Sequence, residues 1–306
     1  MKNWLEYAAA RILLSFLALL PRKTAIKIAQ LLARSTLTTI PKLRRVGLRS
    51  LEIAYPNYSL GEREQLLRRS MENLGRIFGE LSHLQDVTRD SLAQLVDLDV
   101  APEKLERYRK AKAKKRGVIF VTPHLGNWEI MVLALSAMIE PITYLARPLD
   151  NPLLDRLAAK IRTRFGNRPI SKRDALMEGW RILDAGGTLG LLADVNTLQR
   201  DGVFVPFFGV PASTTRAVAM LALRTNALIL PMCGVWDEST QRYKAIVGNF
   251  IEAVRTGSRK RDVLETTALF TAQFEEFIRA YPEQWIWIHR RWKTRPKGTR
   301  DLYANI

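Results

Sequence analysis

The sequence predicts an α/β protein with a mainly parallel central sheet flanked by helices, preceded by N-terminal helices and a membrane anchor. Three observations lead there. From Gly117 onward, short β-branched runs alternate with stretches of helical spacing. Upstream of about residue 110, strand signals are missing and apolar residues recur at helical intervals. The run Ala8–Leu20 is apolar except for Arg11 and Ser15, and it ends at Pro21. Three regions follow: an anchor helix over 1–22, a basic helical region over 23–116 that packs on the core, and an α/β core over 117–306.

The anchor reading rests on what surrounds the apolar run. It falls short of the roughly 20 residues of a comfortable spanning helix. It also lacks the basic start and small-x-small end of a signal peptide. Arg22, Lys23, Lys27, Arg34, Lys42, Arg44, Arg45 and Arg49 crowd in after it. An apolar helix followed by a basic stretch suits an anionic lipid surface on the cytoplasmic side. A first core helix of a soluble protein is the bland alternative. Next, Gly61–Asp86 reads as a long helix with Leu66, Leu67, Leu74, Ile77, Phe78 and Leu81 on one side. Leu105–Arg116 is a very basic helix or linker, either a solvated face or a contact for phosphate headgroups.

Residues 117–122, Gly-Val-Ile-Phe-Val-Thr, are typical of a strand buried on both faces. A loop, Pro123–Asn127, leads to a helix over Trp128–Met138. A strand follows at Ile142–Ala146, then helices at Pro152–Phe165 and Ala175–Ala185, the second stopped by Gly186-Gly187. Strands are expected at Thr188–Ala193, Leu228–Trp236 and Arg242–Val247. Helices are expected from an N-cap at Ser213 to Asn226, and over Arg261–Ala280.

Charge narrows the function classes. The 306 residues carry a net charge of +18, which implies a polyanionic partner, either nucleic acid or an anionic membrane. One cysteine, Cys233, lies in an apolar stretch, so a disulfide framework is excluded and a buried core thiol is expected. His83, His124 and His289 are far apart in sequence, which argues against a metal site.

The strongest local signal is Thr122-Pro-His-Leu-Gly-Asn-Trp-Glu129, just past a buried strand and at the start of a helix. Open α/β sheets bind ligands beyond the carboxyl ends of their strands. A histidine there suits a general base. Glu129, five residues on, is expected to fold back to the imidazole and stabilise the imidazolium. There is no G-x-S-x-G elbow, so direct attack by an acceptor hydroxyl fits better than a covalent acyl-enzyme.

The spacing His124-x-x-x-x-Glu129 resembles the glycerolipid acyltransferases, and the full His124-Leu-Gly-Asn-Trp-Glu129 resembles the lipid A late acyltransferases (lauroyl and myristoyl transferases). Matching blocks recur in the same order: Ala146–Asp155, Asp201–Gly209, Ser213–Arg216 and Tyr281–Trp292. The resemblance runs from the N-terminal apolar segment to about Lys297. It implies a glycerolipid acyltransferase-like fold and an O-acyltransferase of lipid A and lipopolysaccharide biosynthesis. The donor would be an acyl carrier protein thioester and the acceptor a lipid A precursor, at the cytoplasmic face of a bacterial inner membrane. His124 would be the base and Glu129 its partner. Asn127, Arg147, Asp194 and Arg216 would contact substrate, with Arg147 suited to a phosphate or a developing oxyanion. No cofactor and no metal are implied. The family often reads Asp-Gln where this chain has Asp194-Val195-Asn196, which bears on acceptor choice.

Other residues carry two readings. Phe204, Phe207 and Phe208 suit an acyl-chain channel or a core. Trp285, Trp287 and Trp292, interleaved with His289, Arg290 and Arg291, suit a headgroup layer, stacked nucleotide bases, or ordinary packing. A relative acting on another lipid, such as a phosphatidylinositol mannoside or an aminoacyl lipid, would share the same loop. A nucleic-acid-binding protein explains the charge but neither the His124 loop nor the apolar N-terminus, so nucleic acid is not an expected partner. A catalytically dead membrane scaffold is opposed by the intact His124 and Glu129.

Overall fold

The computed structural model of the chain describes all residues except Met1, Arg147, 172–174 and Asn305. It opens with four helices: α1 (Lys2–Ala18), α2 (Arg22–Thr39), α3 (Pro41–Ala54) and α4 (Leu60–Leu81). Helix α5 (Arg89–Leu95), the two-residue strand β1 (Val96–Asp97) and α6 (Pro102–Ala113) lead into the core. There β2 (Val118–Thr122), α7 (Trp128–Met138), β3 (Thr143–Ala146), α8 (Pro152–Arg162), β4 (Arg168–Ser171), α9 (Ala175–Asp184) and β5 (Thr188–Leu192) alternate. A hairpin, β6 (Gly202–Phe207) and β7 (Val210–Thr215), interrupts the alternation. Then come α10 (Ala217–Thr225), β8 (Leu228–Asp237), β9 (Arg242–Val247) and α11 (Arg259–Ala280).

Among the described residues the main sheet has seven strands in the order β1-β9-β8-β2-β5-β3-β4. All neighbours are parallel except β8 and β9. The expected α/β architecture is thus present. Strand β2 shows why. Val118 and Phe120 pack into one apolar cluster with α7, while Ile119 and Val121 pack into another with α10 and α11. Period-two alternation of two apolar sets is what a strand covered on both faces requires.

Several elements differ from the sequence expectation for local reasons. Strand β4 reads Arg-Pro-Ile-Ser, which carries no strand signal. It lies at the sheet edge, where a proline leaves no central ladder bond unmade. The β6–β7 hairpin turns on Phe208-Gly209, both at positive φ (51° and 74°), in place of the usual Asn-Gly. Ser213 is therefore a strand residue, and Arg216 stands at the N-cap position of α10 with no side-chain capping bond. Helix α4 starts with a capping box of Ser59 and Glu62, and its Leu66, Leu67 and Ile77 are buried as expected. Phe78, expected on the same face, is 52% exposed. The basic helix α6 is largely ion-paired: Arg107 with Glu252, Lys110 with Glu106, and Lys112 with Glu140. Lys112 also donates to the Gly186 carbonyl just before β5, which puts the end of α6 at the amino end of the sheet.

No helix among the described residues is long and apolar enough to cross a membrane, so a membrane-spanning anchor is not supported. Helix α1 buries Leu17 alone and leaves Trp4, Leu5, Ile12, Leu13 and Phe16 exposed, as is Leu19 just after it. Of the three readings open for the tryptophans near the C-terminus, ordinary packing is the one that the structure shows. Trp285, Trp287 and Trp292 are fully buried, with their indole N–H groups donating to Asp194, Pro282 and Phe207. They cannot lie in a headgroup layer or stack on bases. Phe207 and Phe208 pack against them in the core, whereas Phe204 is half-buried. Cys233 is buried, as expected, and burial pushes its thiol up.

Helices α2 and α4 pack so closely that a Cβ at Gly75 would meet the Gln30 Cα at 2.5 Å and the Ala29 carbonyl oxygen at 2.6 Å. Backbone cannot step aside as a flexible side chain can. Gly75→Ala should therefore cost about 2 kcal/mol by thermal unfolding, whereas Arg68→Ala on the exposed face of α4 should cost no more than about 0.5 kcal/mol.

Candidate active site

The site forms where β2 ends. Strand β5 lies beside β2 in parallel register, Thr122 opposite Leu192. Two loops therefore leave the sheet side by side, one carrying His124 and the other Asp194. The Asp194 carboxylate is 1% exposed and accepts three bonds. Its Oδ1 meets His124 Nδ1 at 2.7 Å. Its Oδ2 accepts from the His124 backbone N–H at 2.8 Å and from the Trp285 indole N–H at 2.7 Å. Burial favours the protonated acid. The charge of His124 and these donors outweigh it and hold Asp194 down at about 2.

This geometry fixes the tautomer. An ionised carboxylate only accepts, so Nδ1 of His124 carries the proton and Nε2 of the neutral ring keeps its lone pair. The His124 side chain is 20% exposed. Its ring meets Trp128 edge-on, with centroids 4.9 Å apart.

Glu129 does not fold back to the imidazole. It lies in the first turn of α7 and pairs with Arg162 of α8: Arg162 Nε donates to Oε2 at 2.7 Å and Nη2 to Oε1 at 2.5 Å. The Trp128 indole N–H adds a bond of 3.2 Å. Burial opposes the charge on Arg162, but the Glu129 carboxylate more than offsets it and holds the guanidinium above its ordinary range. The reason is direction. Glu129 lies on the side of α7 against which α8 packs, and Arg162 of α8 meets it there.

The loop itself is held by backbone. Gly126 N–H donates to the Gln284 carbonyl at 3.0 Å and Asn127 N–H to the Gly234 carbonyl at 2.8 Å. Asn73 of α4 donates to the carbonyls of Gly126 and Gln284. Gly126 sits at φ +64°, and a Cβ there would lie 1.8 Å from the Gly234 carbonyl oxygen. Asn127 is 1% exposed and caps α7 through Oδ1 to Ile130 N–H, while its Nδ2 donates to Tyr243. It builds the loop and is sealed from substrate. Asp194, expected to contact substrate, is sealed likewise and serves His124. Arg216 is exposed at the N-terminus of α10, toward the carboxyl end of the sheet, and among the described residues its guanidinium has no partner. Arg147 lies outside the described residues.

Behind Asp194 runs the C-terminal segment. His289 Nε2 accepts from Asn196 N–H at 2.9 Å. Burial first, then Arg291 and His124, push His289 down to about 4 despite Asp194. Arg291 is fully buried, donating to the Ser213 carbonyl and Thr214 Oγ1. Sequence reasoning missed Arg162, Trp285 and the pairing of Asp194 with His124. The available signal was an Asp ending an apolar strand run, as His124 follows one. Strand order, which makes the two loops neighbours, was not legible. Among the described residues no group of three acidic, histidine or cysteine side chains is placed to hold a metal ion.

Comparison with known proteins decides the family. The model for bacterial lipid A biosynthesis acyltransferases matches residues 1–294. The chain belongs to that family. It is 28% identical over 275 residues to the lipid A biosynthesis lauroyltransferase of Escherichia coli K12, covering 89% of this chain and 86% of that one. It is 26% identical to the palmitoleoyltransferase of the same organism (86% and 84%) and 23% identical to its myristoyltransferase (98% and 91%). The family is one of acyltransferases.

Two outcomes follow for the charges of this acyltransferase. Glu129→Ala leaves the part-buried Arg162 without its partner and should cost about 2 kcal/mol of unfolding free energy in urea. Asp194 has a depressed pKa, so its stabilising contribution is complete above about pH 4. It is lost as pH falls through the window from 3.8 toward 2. The stability gap between wild type and Asp194→Asn should therefore narrow as pH drops from about 4 to 2; a gap independent of pH would contradict the assignment.

Proposed function

We propose that this acyltransferase moves a fatty acyl chain from an acyl carrier protein thioester to a hydroxyl of a lipid A precursor, with His124 as general base. The observation that carries the reading is the His124–Asp194 pair, which leaves Nε2 basic and part-exposed beyond the carboxyl end of β2. In the reaction, Nε2 takes the hydroxyl proton as the oxygen attacks the thioester carbonyl. The tetrahedral intermediate collapses, the new C–O bond stays, the C–S bond breaks, and the imidazolium returns its proton to the thiolate. Asp194 stabilises the imidazolium through Nδ1–H without taking the proton. Glu129 acts through Arg162. The pair uses Nε and Nη2 of the guanidinium and leaves the Nη1 edge uncommitted by Glu129, a donor for anionic groups beside the base. Arg216 would serve lipid phosphate or the acidic carrier protein, and Arg147 keeps the role that the family resemblance implies.

The surface supports a lipid partner. Helix α1 presents exposed Trp4, Leu5, Ile12 and Leu13, and exposed Lys23 and Lys27 follow on α2. This suits a helix lying in the cytoplasmic face of an anionic bilayer without crossing it. The excess of +18 charges also suits an acidic carrier protein.

The test is acyl transfer in mixed micelles from acyl carrier protein thioesters to the lipid A precursor. His124→Ala should lose at least about a thousandfold in kcat, and Asp194→Asn, which keeps the shape but not the tautomer, about a hundred- to ten-thousandfold. Wild-type transfer that persists in His124→Ala would reject the base. No transfer by folded wild type would reject the acceptor.

A further inference from the structure

The segment entering α8 holds an asparagine that the catalytic reading does not use. Asn151 is 5% exposed, and its amide is engaged in three directions. Oδ1 accepts from Leu153 N–H at 3.0 Å, which caps α8. Nδ2 donates to the Asn3 carbonyl at 2.7 Å and to Glu6 Oε2 at 3.1 Å, both on α1. Helix α1 packs against α8, yet its first half contains no buried residue, so among the described residues this amide is the polar side-chain attachment of that half to the rest of the chain. Helix α8 has eleven residues, a rod of about 16 Å. Its other end carries Arg162, the partner of Glu129.

We propose that Asn151 is a positioning residue that clasps α1 to the start of α8, so that a lipid surface held by α1 sets α8 and, through Arg162, the Glu129 carboxylate. The proposal rests on the reading of α1 as an interfacial helix. A helix tied at one end and free along its outer face fluctuates. Seating that face in lipid removes the fluctuation, and the clasp passes the constraint to α8. Loss of the clasp leaves lipid binding intact and uncouples it from the site.

Asparagine and aspartate cap helices about equally, but aspartate donates nothing and repels Glu6. Asn151→Asp therefore separates the cap from the clasp. Adding Glu6→Gln returns a donor facing the new carboxylate. The experiment is hydrogen exchange of residues 152–162 in the full-length protein, with and without vesicles of phosphatidylglycerol and phosphatidylethanolamine, with flotation to measure binding. In wild type, vesicles should slow exchange of α8 at least fivefold. Asn151→Asp should bind vesicles as wild type does and show no slowing, and the double variant should recover much of it. Exposed Glu6→Ala, which spares the cap, should show an intermediate effect and guards against misfolding of the first variant. Equal slowing in wild type and Asn151→Asp, or no rescue by Glu6→Gln, would overturn the clasp, as would failure of wild type to bind vesicles. Acyl transfer on the same vesicles should fall about tenfold in kcat for Asn151→Asp with KM little changed. If exchange behaves as expected but wild type transfers no acyl chain, the clasp stands and the acceptor assignment falls.

Discussion

The buried carboxylate of Asp194 sets the terms for everything around it. An ionised acid taken out of water costs several kcal/mol unless each lone pair finds a donor. Here three donors meet it, from a loop backbone, an imidazole and an indole. The donors tie down the loop after β2, the His124 ring and the C-terminal segment. The fold thus converges on one anion, and satisfying it places His124 in a single orientation.

That convergence explains why the C-terminal segment is so apolar and so buried. Trp285 must reach Asp194 from behind, so its neighbours fill the space between the sheet and the β6–β7 hairpin. Trp287, Trp292, Phe207 and Phe208 do so with tilted and edge-on ring contacts. The carbonyl of Gln284 holds Gly126, and its side chain grips both backbone groups of Trp236 on β8. A loop at the end of a parallel strand has no ladder partner of its own. Here it borrows partners from α4, β8 and the C-terminal segment, which hold the loop that carries His124. The second carboxylate, Glu129, faces the other way and belongs to a separate pair with Arg162. The His-x-x-x-x-Glu spacing therefore encodes two charge relations, each completed by a residue far away in sequence.

Much of the fold was legible because the strands flanking the site are buried on both faces. Val118–Val121 and Leu228–Val235 carry apolar side chains regardless of register, so their identity survives any strand order. Edge strand β4, with its proline, and the Phe208-Gly209 hairpin obey tertiary constraints and carried no local signal. In the site, His124 was legible from its place after such a strand. Its partner was misread. Glu129 is near in sequence, whereas Asp194 is near only once β5 is known to lie beside β2. Pairing across 70 positions is a property of sheet order, which one sequence does not encode locally. Asn127 was read as a substrate contact, yet helix α7 needs it as a cap.

The account stands on the protonation of one ring. The most direct measurement is the 15N spectrum of labelled histidine in detergent-solubilised protein at neutral pH, with the His124 resonances assigned by their loss in His124→Ala. A neutral His124 protonated at Nδ1 and bare at Nε2, with that preference lost in Asp194→Asn, is the predicted result. A neutral ring protonated at Nε2 would contradict it, because no lone pair would then face the acceptor hydroxyl.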